Sequence, residues 1–251
     1  MNSFSTIGLI SSIALILPLL MIIAFRLCTY KSFPALFVYF LSISLYNIAR
    51  TQFPDIDPQI LVFWSSANNF ADAPLILFFL TYFSTLPSFK KKMYLLIAGI
   101  IFFQLIVIFS FGFTTKAVSI FLAPGIISVF AFSLYFFVRH TKISITHYKA
   151  VGKAVISASL LFAYGCYAII YLVYYVLKLP AINDTFLLYY IVVTISSISM
   201  AIGIAGESKR VRKLKELLQT RKELSVIYNN EAPTARSIRT LALDFDKDPW
   251  V

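Results

Sequence analysis

A group of polar side chains lies inside one of the long apolar segments of this sequence. The stretch WSSANNFADAPLILFF, residues 64–79, places Ser65, Asn68, Asn69 and Asp72 at helical spacing, so that they share one face of a helix. A carboxylate at the centre of a bilayer costs at least ~2.5 kcal/mol on insertion scales. We therefore expect Asp72 to act as a counter-ion for a ligand, as a protonation switch or as an ion-coupling group. The structural alternative is a protonated Asp72 that bonds Asn69 or a tyrosine.

Other apolar segments carry polar and aromatic side chains that could meet Asp72. Tyrosines repeat at helical spacing in the sixth segment, and Asn47 lies near the outer end of the second. Each has a structural alternative, because tyrosines near helix ends form aromatic belts and small polar side chains join membrane helices. We predict an outward-facing pocket for a small, cationic or amphipathic ligand, lined by Asn47, Asn68, Asn69, Asp72, Tyr167, Tyr171 and Tyr190.

Several kinds of chemistry are disfavoured by the residue types. The only two histidines, His140 and His147, fall in a predicted basic loop, and no cluster has metal-ligand spacing. This argues against intramembrane zinc hydrolases such as the adiponectin-receptor-like and ceramidase families. The seventh segment has no lysine for a retinal Schiff base, and no Gly-rich phosphate loop or Ser-His-Asp arrangement is visible. We expect no metal and no cofactor, and an enzyme is less expected than a binding protein.

The elements that must position these side chains are membrane helices. The chain has 251 residues, of which 59% are hydrophobic and 13% charged, whereas soluble domains carry about 25% charge. Apolar runs of about 20 residues are long enough to cross a bilayer as helices. We predict an all-α integral membrane protein, a seven-transmembrane-helix bundle with spans at about 6–26, 33–50, 60–85, 92–111, 117–139, 153–178 and 184–206.

The distribution of basic residues predicts the orientation of the bundle. Nine Lys and Arg residues lie in or beside the first, third and fifth loops, and three in the second, fourth and sixth. Because short cytoplasmic loops are enriched in these residues, the N-terminus is predicted outside and the C-terminus in the cytoplasm. The net charge of +11 therefore indicates membrane topology and not nucleic acid. The predicted location is the plasma or cytoplasmic membrane.

The sequence divides into a membrane domain and a cytoplasmic end. We predict a seven-helix domain at 1–206, a basic amphipathic cytoplasmic helix at 207–229 and a short flexible tail at 230–251. The basic helix is expected to lie on anionic lipid. Alternatively, it forms a homodimer through a short a/d seam, made by Leu214, Leu217, Arg221, Leu224 and Tyr228.

A resemblance to known sensory proteins rests on the third segment. Trp64, Pro74 and the run Phe79-Leu80-Thr81-Tyr82, with the outside N-terminus and the charged helix after the seventh span, resemble the seven-helix sensory input modules that precede bacterial histidine kinases, cyclases or DNA-binding regulators. No output domain follows, so the resemblance implies signalling through a partner. By architecture the chain is also similar to G-protein-coupled receptors, although none of their helix motifs is present.

The function expected from these observations is that of a seven-helix receptor or sensor. A small ligand would bind near Asp72, and the change would reach a cytoplasmic signalling partner through the sixth and seventh helices. The alternatives are a transporter or channel subunit that uses Asp72 for ion coupling, a lipid-modifying membrane enzyme with Asp72 as acid or base, and a structural or assembly subunit. The expected partners are the lipid bilayer, the unknown ligand and the signalling partner or second copy, without nucleic acid.

Overall fold

The computed structural model describes residues 3–52, 57–147, 150–177 and 182–231, and all regular structure in these ranges is helical. The all-helical fold is therefore confirmed for this part of the chain. Its long helices are α1 (Ser3–Ala24), α2 (Phe33–Gln52), α3 (Pro58–Leu80), α4 (Pro87–Phe111), α5 (Thr115–His147), α6 (Val151–Tyr171) and α7 (Ile182–Glu231). A 3-10 turn, Thr81–Phe83, follows α3, and a π-helical segment, Leu172–Val176, follows α6. The predicted tail lies, except for its first two residues, outside the described ranges.

Six of these helices are long and apolar enough to cross a membrane, which indicates a multi-pass membrane protein. They are α1, α2, α4, α5, α6 and α7. The remaining helix, α3, has sufficient length at 23 residues, but it carries the polar group around Asp72. Side chains such as Leu95 and Phe109 on α4 are 75% and 88% exposed in the isolated protein. Such large apolar exposure is typical of a surface that faces lipid.

One helix end differs from the sequence-based expectation. The predicted basic loop after residue 139 is helical up to His147, so His140 lies within α5 and not in a loop. The seventh predicted span and the helix predicted after it, at 207–229, belong to one continuous helix, α7, which runs to Glu231. Neither stretch contains Gly or Pro. Charged residues end the apolar run without ending the helix, because Lys, Arg and Glu are good helix formers.

The helices pack as a ring with one peripheral member. Around the ring, α1 packs against α2, α2 against α3, α3 against α5, α5 against α6, α6 against α7, and α7 against α1. Helix α4 packs against α3 and α5. Most of the interior is filled by an apolar cluster in which large aromatic side chains such as Phe33, Phe79, Phe83 and Phe136 are completely buried, and a smaller cluster around Phe121 lies between α4 and α5. A residue on the inner face of α3 therefore points towards α2, α6 and α7.

The start of α3 is fixed by local signals. Asp57 accepts a hydrogen bond from the backbone amide of Gln59 at 2.9 Å, and Pro58 occupies the first helical position. Both are favoured there, because the cap satisfies a free amide and proline lacks one. The cap sets where α3 begins, and so sets the height of Asp72 in the bundle.

Helices α6 and α7 approach each other very closely at glycines. A Cβ atom on Gly203 of α7 would lie 2.6 Å from Ile156 Cγ1 of α6, and one on Gly152 of α6 would lie 2.4 Å from the backbone nitrogen of Glu207. Real side chains do not tolerate such distances, so glycine is required for this contact. A hydrogen bond from the Ser159 hydroxyl to the Ser196 carbonyl, 2.6 Å long, joins the same two helices higher up.

Candidate functional site

Asp72 is held by tyrosines from neighbouring helices. The hydroxyl of Tyr164 on α6 donates a hydrogen bond of 2.7 Å to Asp72 Oδ1. Tyr39 on α2 is a second hydrogen-bonding neighbour of the carboxyl group. Tyr164 is only 1% exposed, so this contact lies in the interior, where a hydrogen bond to a charged group is strong. Asp72 thus joins α3 to α2 and α6.

Aromatic contacts continue from this pair to α7. The rings of Tyr164 and Tyr167 meet edge to face with centroids 5.6 Å apart, and Tyr167 stacks on Tyr189 of α7 at 5.9 Å. Such pairs are worth about 0.5–1.5 kcal/mol beyond their burial. We refer to Asp72, Tyr39, Tyr164, Tyr167 and Tyr189 as the Asp72 cluster.

A small cavity lies beside the Asp72 cluster. Its volume is about 30 Å³, enough for one or two water molecules, whereas pockets for drug-sized ligands are typically ~300–1,000 Å³. Its walls come from α1, α2, α6 and α7 and include Tyr39, Tyr164, Tyr167, Ser159, Ser196 and Ser197. Water in this cavity would have tyrosine and serine hydroxyls as partners. A larger ligand requires the helices around it to separate.

The other predicted site residues are divided among several contacts. Asn68 accepts a hydrogen bond of 2.5 Å from the Ser42 hydroxyl of α2, and Asn47 donates to the Ile43 carbonyl of its own helix at 3.0 Å. Asn69 is half-buried one turn before Asp72 on α3. The Asn68 contact therefore joins α3 to α2, whereas the Asn47 contact stays within α2.

Two of the predicted tyrosines point away from Asp72. The Tyr171 hydroxyl donates to the Ser119 carbonyl of α5 at 2.8 Å. Tyr190 lies against α1, where a Cβ atom on Gly8 would be 3.8 Å from its ring. The structure therefore brings only Tyr167 of the predicted tyrosines to Asp72, and the open outward pocket stays a prediction.

Sequence reasoning left Tyr39, Tyr164 and Tyr189 out of the site. Tyr189 has the sequence position of a belt residue, near the outer end of α7. Tyr39 and Tyr164 lie well inside their helices, and a tyrosine at such a depth needs a hydrogen-bond partner for its hydroxyl. The sequence positions of Tyr39 and Tyr164 therefore indicate that both hydroxyls bond a partner inside the bundle.

A second polar cluster lies where α7 leaves the helix bundle. The Tyr82 hydroxyl donates to Glu207 Oε1, and Arg210 donates to the same oxygen from Nε at 2.9 Å and from Nη2 at 2.7 Å. Glu207 is fully buried, and Arg210 Nη2 also donates to the Tyr82 oxygen at 2.8 Å. The ammonium of Lys153 lies 4.9 Å from the centre of the Tyr82 ring. We call Tyr82, Lys153, Glu207 and Arg210 the Glu207 cluster; it fixes α7 to the end of α3.

The residue types of the Asp72 cluster determine which chemistry it could support. Among the described residues, no group of three or more His, Cys, Asp or Glu could hold a metal ion. The side chains around Asp72 supply one carboxyl group and several phenolic hydroxyls, which suit a cation or a hydrogen-bond donor. His140, the histidine whose side chain is described, packs between Phe83 and Phe136 and bonds the Phe136 carbonyl.

The comparisons with known proteins identify no relative: the chain matches no protein family, and no curated protein or solved structure is similar to it.

Proposed function

We propose that the protein is a seven-helix membrane receptor or sensor that binds a small ligand beside Asp72 and signals through a cytoplasmic partner. The observation that carries the proposal is the continuous contact path from Asp72 through Tyr164 and Tyr167 to Tyr189 of α7. A ligand that takes the place of Tyr164 on the carboxyl group changes the first contact of this path, and α7 lies at its other end.

Helix α7 is suited to carry a change out of the membrane. Its 50 residues correspond to about 75 Å at a rise of 1.5 Å per residue, whereas a bilayer core is about 30 Å thick. The helix contains no proline, so its membrane part and its extension move together. The part beyond the Glu207 cluster, residues 212–225, is largely exposed and available to a partner.

The proposal includes seven spans with the N-terminus outside. Helix α3 is the seventh span, because it packs between α2 and α5 as a member of the ring. Its polar residues face neighbouring helices, as in Asn68 with Ser42 and Asp72 with Tyr164, and so avoid lipid. The excess of Lys and Arg in the loops at the C-terminal end of the bundle supports a cytoplasmic location for that end.

The packing of α3 favours a receptor over a transporter. Below Asp72, the side chains that α3 buries are Ala73, Ile76, Leu77, Phe79 and Leu80. A transported ion would have to pass this apolar layer, which offers it no ligands. A receptor needs only the change of contacts at Asp72.

Native mass spectrometry of the purified protein in mild detergent tests the proposal. We expect a small molecule to remain bound to the wild-type protein and to be lost in Asp72→Asn, because the carboxylate is its counter-ion. Asp57→Asn is the matched control: it removes the same charge from the same helix, and asparagine still caps α3. A wild-type protein without a bound molecule, or equal retention in Asp72→Asn, contradicts the ligand-binding function.

A further inference from the structure

We propose that the loop between α1 and α2 and the extension of α7 together bind the phosphate group of an anionic phospholipid, through Tyr30, Lys31 and Lys215. This site lies in the half of the bundle that contains the Glu207 cluster, and it is independent of any ligand at Asp72. A defined headgroup site of this kind differs from general adhesion of a basic helix to a membrane.

The first observation is an unpartnered donor. The Tyr30 hydroxyl oxygen is completely buried and has no hydrogen-bond partner in the part of the chain that the structure describes. The Tyr30 ring is held in place by Phe33 and by Tyr82, with centroids 6.2 Å and 5.9 Å away. An unmet buried hydroxyl is costly, so an acceptor that reaches it when neighbouring side chains move aside gains a hydrogen bond from a ring already held in place.

The second observation is the convergence of positive charge on the same ring. The ammonium groups of Lys31 and Lys215 each lie 5.7 Å from the centre of the Tyr30 ring. Lys31 belongs to the loop and Lys215 to α7, so two distant parts of the chain bring like charges to one place. On this part of α7, Glu207 is bonded to Arg210 and Tyr82, and Glu216 lies 3.7 Å from Arg212. An anion beside the Tyr30 ring would be attracted by both lysine ammonium groups.

The backbone of the loop also favours a binding role. Lys31 has a φ of 45° and Arg26 a φ of 54°, a left-handed conformation that is unfavourable for residues with a Cβ atom. Such conformations occur where the surrounding structure holds a side chain for a task, as in ligand clamps. Here the conformation directs Lys31 onto the rings of Tyr30 and Tyr82.

Phosphate is the anion that fits these donors. A phosphodiester oxygen accepts hydrogen bonds from one hydroxyl and two ammonium groups, and lysine is a common phosphate ligand. The site lies where α7 leaves the bundle, at the level of the inner headgroups, and basic sites between helices on that side bind anionic lipid. A zwitterionic choline headgroup would place its cation among lysines, so an anionic headgroup is preferred.

Lipid titration followed by native mass spectrometry tests the site on the full chain in detergent. The probes are phosphatidylglycerol, phosphatidylcholine and inorganic phosphate. We expect phosphatidylglycerol to bind more tightly than phosphatidylcholine, with about fivefold weaker binding in Lys31→Gln and in Lys215→Gln. Tyr30→Phe removes a hydrogen bond to a charged group and should weaken phosphatidylglycerol binding by about tenfold or more.

Lys116→Gln is the matched control, because the Lys116 ammonium lies 5.1 Å from the Phe111 ring at the opposite end of the bundle; it should leave phosphatidylglycerol binding unchanged. Lys215 is exposed on α7, so Lys215→Gln stays informative if Tyr30→Phe fails to fold. Equal binding of the two lipids, or full binding by Lys215→Gln, overturns the proposal. Inorganic phosphate that binds with this dependence on Lys215 while phosphatidylglycerol does not identifies a free-anion site and also overturns it.

Discussion

At the scale of single residues, the contact between Asp72 and Tyr164 is the most informative feature of the protein. A carboxyl group in a membrane helix is tolerated when partners replace the water that it has lost. Tyr164 supplies one such partner at 2.7 Å. The same contact holds α3 and α6 together and occupies the carboxyl group, so that a ligand has to compete with it.

The energetic coupling of Asp72 and Tyr164 can be measured with a double-mutant cycle of Asp72→Asn and Tyr164→Phe. Hydrogen bonds between membrane helices average about 0.6 kcal/mol, whereas bonds to charged groups contribute about 1.5–3 kcal/mol. We expect a coupling free energy of about 1.5 kcal/mol in the free energy of unfolding, measured by denaturation in mixed micelles.

The matched control for that cycle is Tyr171→Phe. It removes a hydroxyl from the same helix that donates a bond of similar length, 2.8 Å, but to the Ser119 carbonyl of α5. Its effect should be additive with Asp72→Asn to within about 0.5 kcal/mol. Because the Asn oxygen can still accept from Tyr164, additivity of Tyr164→Phe with Asp72→Asn would show that the carboxyl group adds no stability to this bond beyond that of an amide.

The sequence predicts part of this site. Asp72 can be predicted as a site residue without a structure, because a buried acid in a membrane helix is costly. The partners of Asp72 depend on how each helix is rotated about its axis. One turn separates Tyr167 from Tyr171, yet Tyr167 stacks on Tyr189 and Tyr171 bonds α5. Helical periodicity places both on one stripe and does not show which helix each one meets.

At the scale of elements, the contact of α6 with α7 is the point about which α7 is held. Gly203 and Gly152 allow the two backbones to touch beside Glu207. Glu207 is bound in turn to Tyr82 and Arg210. Close packing and a buried ion pair therefore fix α7 where it leaves the bundle. If the part of α7 within the bundle shifts, we expect the helix to pivot at this contact.

Gly203→Ala tests the close contact. The added Cβ atom would lie 2.6 Å from Ile156 Cγ1 and 2.9 Å from the Ile156 backbone nitrogen, and overpacking of this kind costs about 1–3 kcal/mol. We expect a lower thermal unfolding midpoint in detergent. Gly99→Ala in α4 is the control, because nothing lies within 4 Å of its added atom; it should be neutral or stabilising. Equal midpoints for the two variants would rule out the tight α6–α7 contact.

Helix number follows from the sequence, and the end of α5 does not. The seven predicted segments correspond to the seven long helices, because apolar runs of that length form helices in a bilayer. The predicted span in α5 ends at residue 139, the first charged residue after the apolar run. Charge marks where the membrane ends, whereas the helices end at His147 and Glu231.

At the scale of the whole molecule, the ring of helices separates two sites. The Asp72 cluster joins α2, α3, α6 and α7 inside the ring, and the Glu207 cluster fixes α7 to the end of α3. Between them, α7 packs along α6 and α1. The proposed receptor function requires a change at Asp72 to reach the exposed extension of α7 through these packed helices.

The measurement that tests the coupling is the distance between spin labels on α4 and α7, by double electron–electron resonance in nanodiscs. The labels are attached at Ser88→Cys and Thr220→Cys, both exposed polar positions. The two native cysteines, Cys28 and Cys166, carry free thiols and are replaced first. Label attachment in sealed right-side-out vesicles also tests the proposed orientation, in which an impermeant reagent reaches both positions only after the vesicles are opened.

The account predicts that Asp72→Asn shifts the distance distribution between the two labels by about 2 Å or more, the scale of helix movements in known switches. Asp57→Asn and Tyr171→Phe should reproduce the wild-type distribution, since neither touches the Asp72 cluster. A distribution in Asp72→Asn identical to that of the wild type and the two controls would contradict coupling between Asp72 and α7.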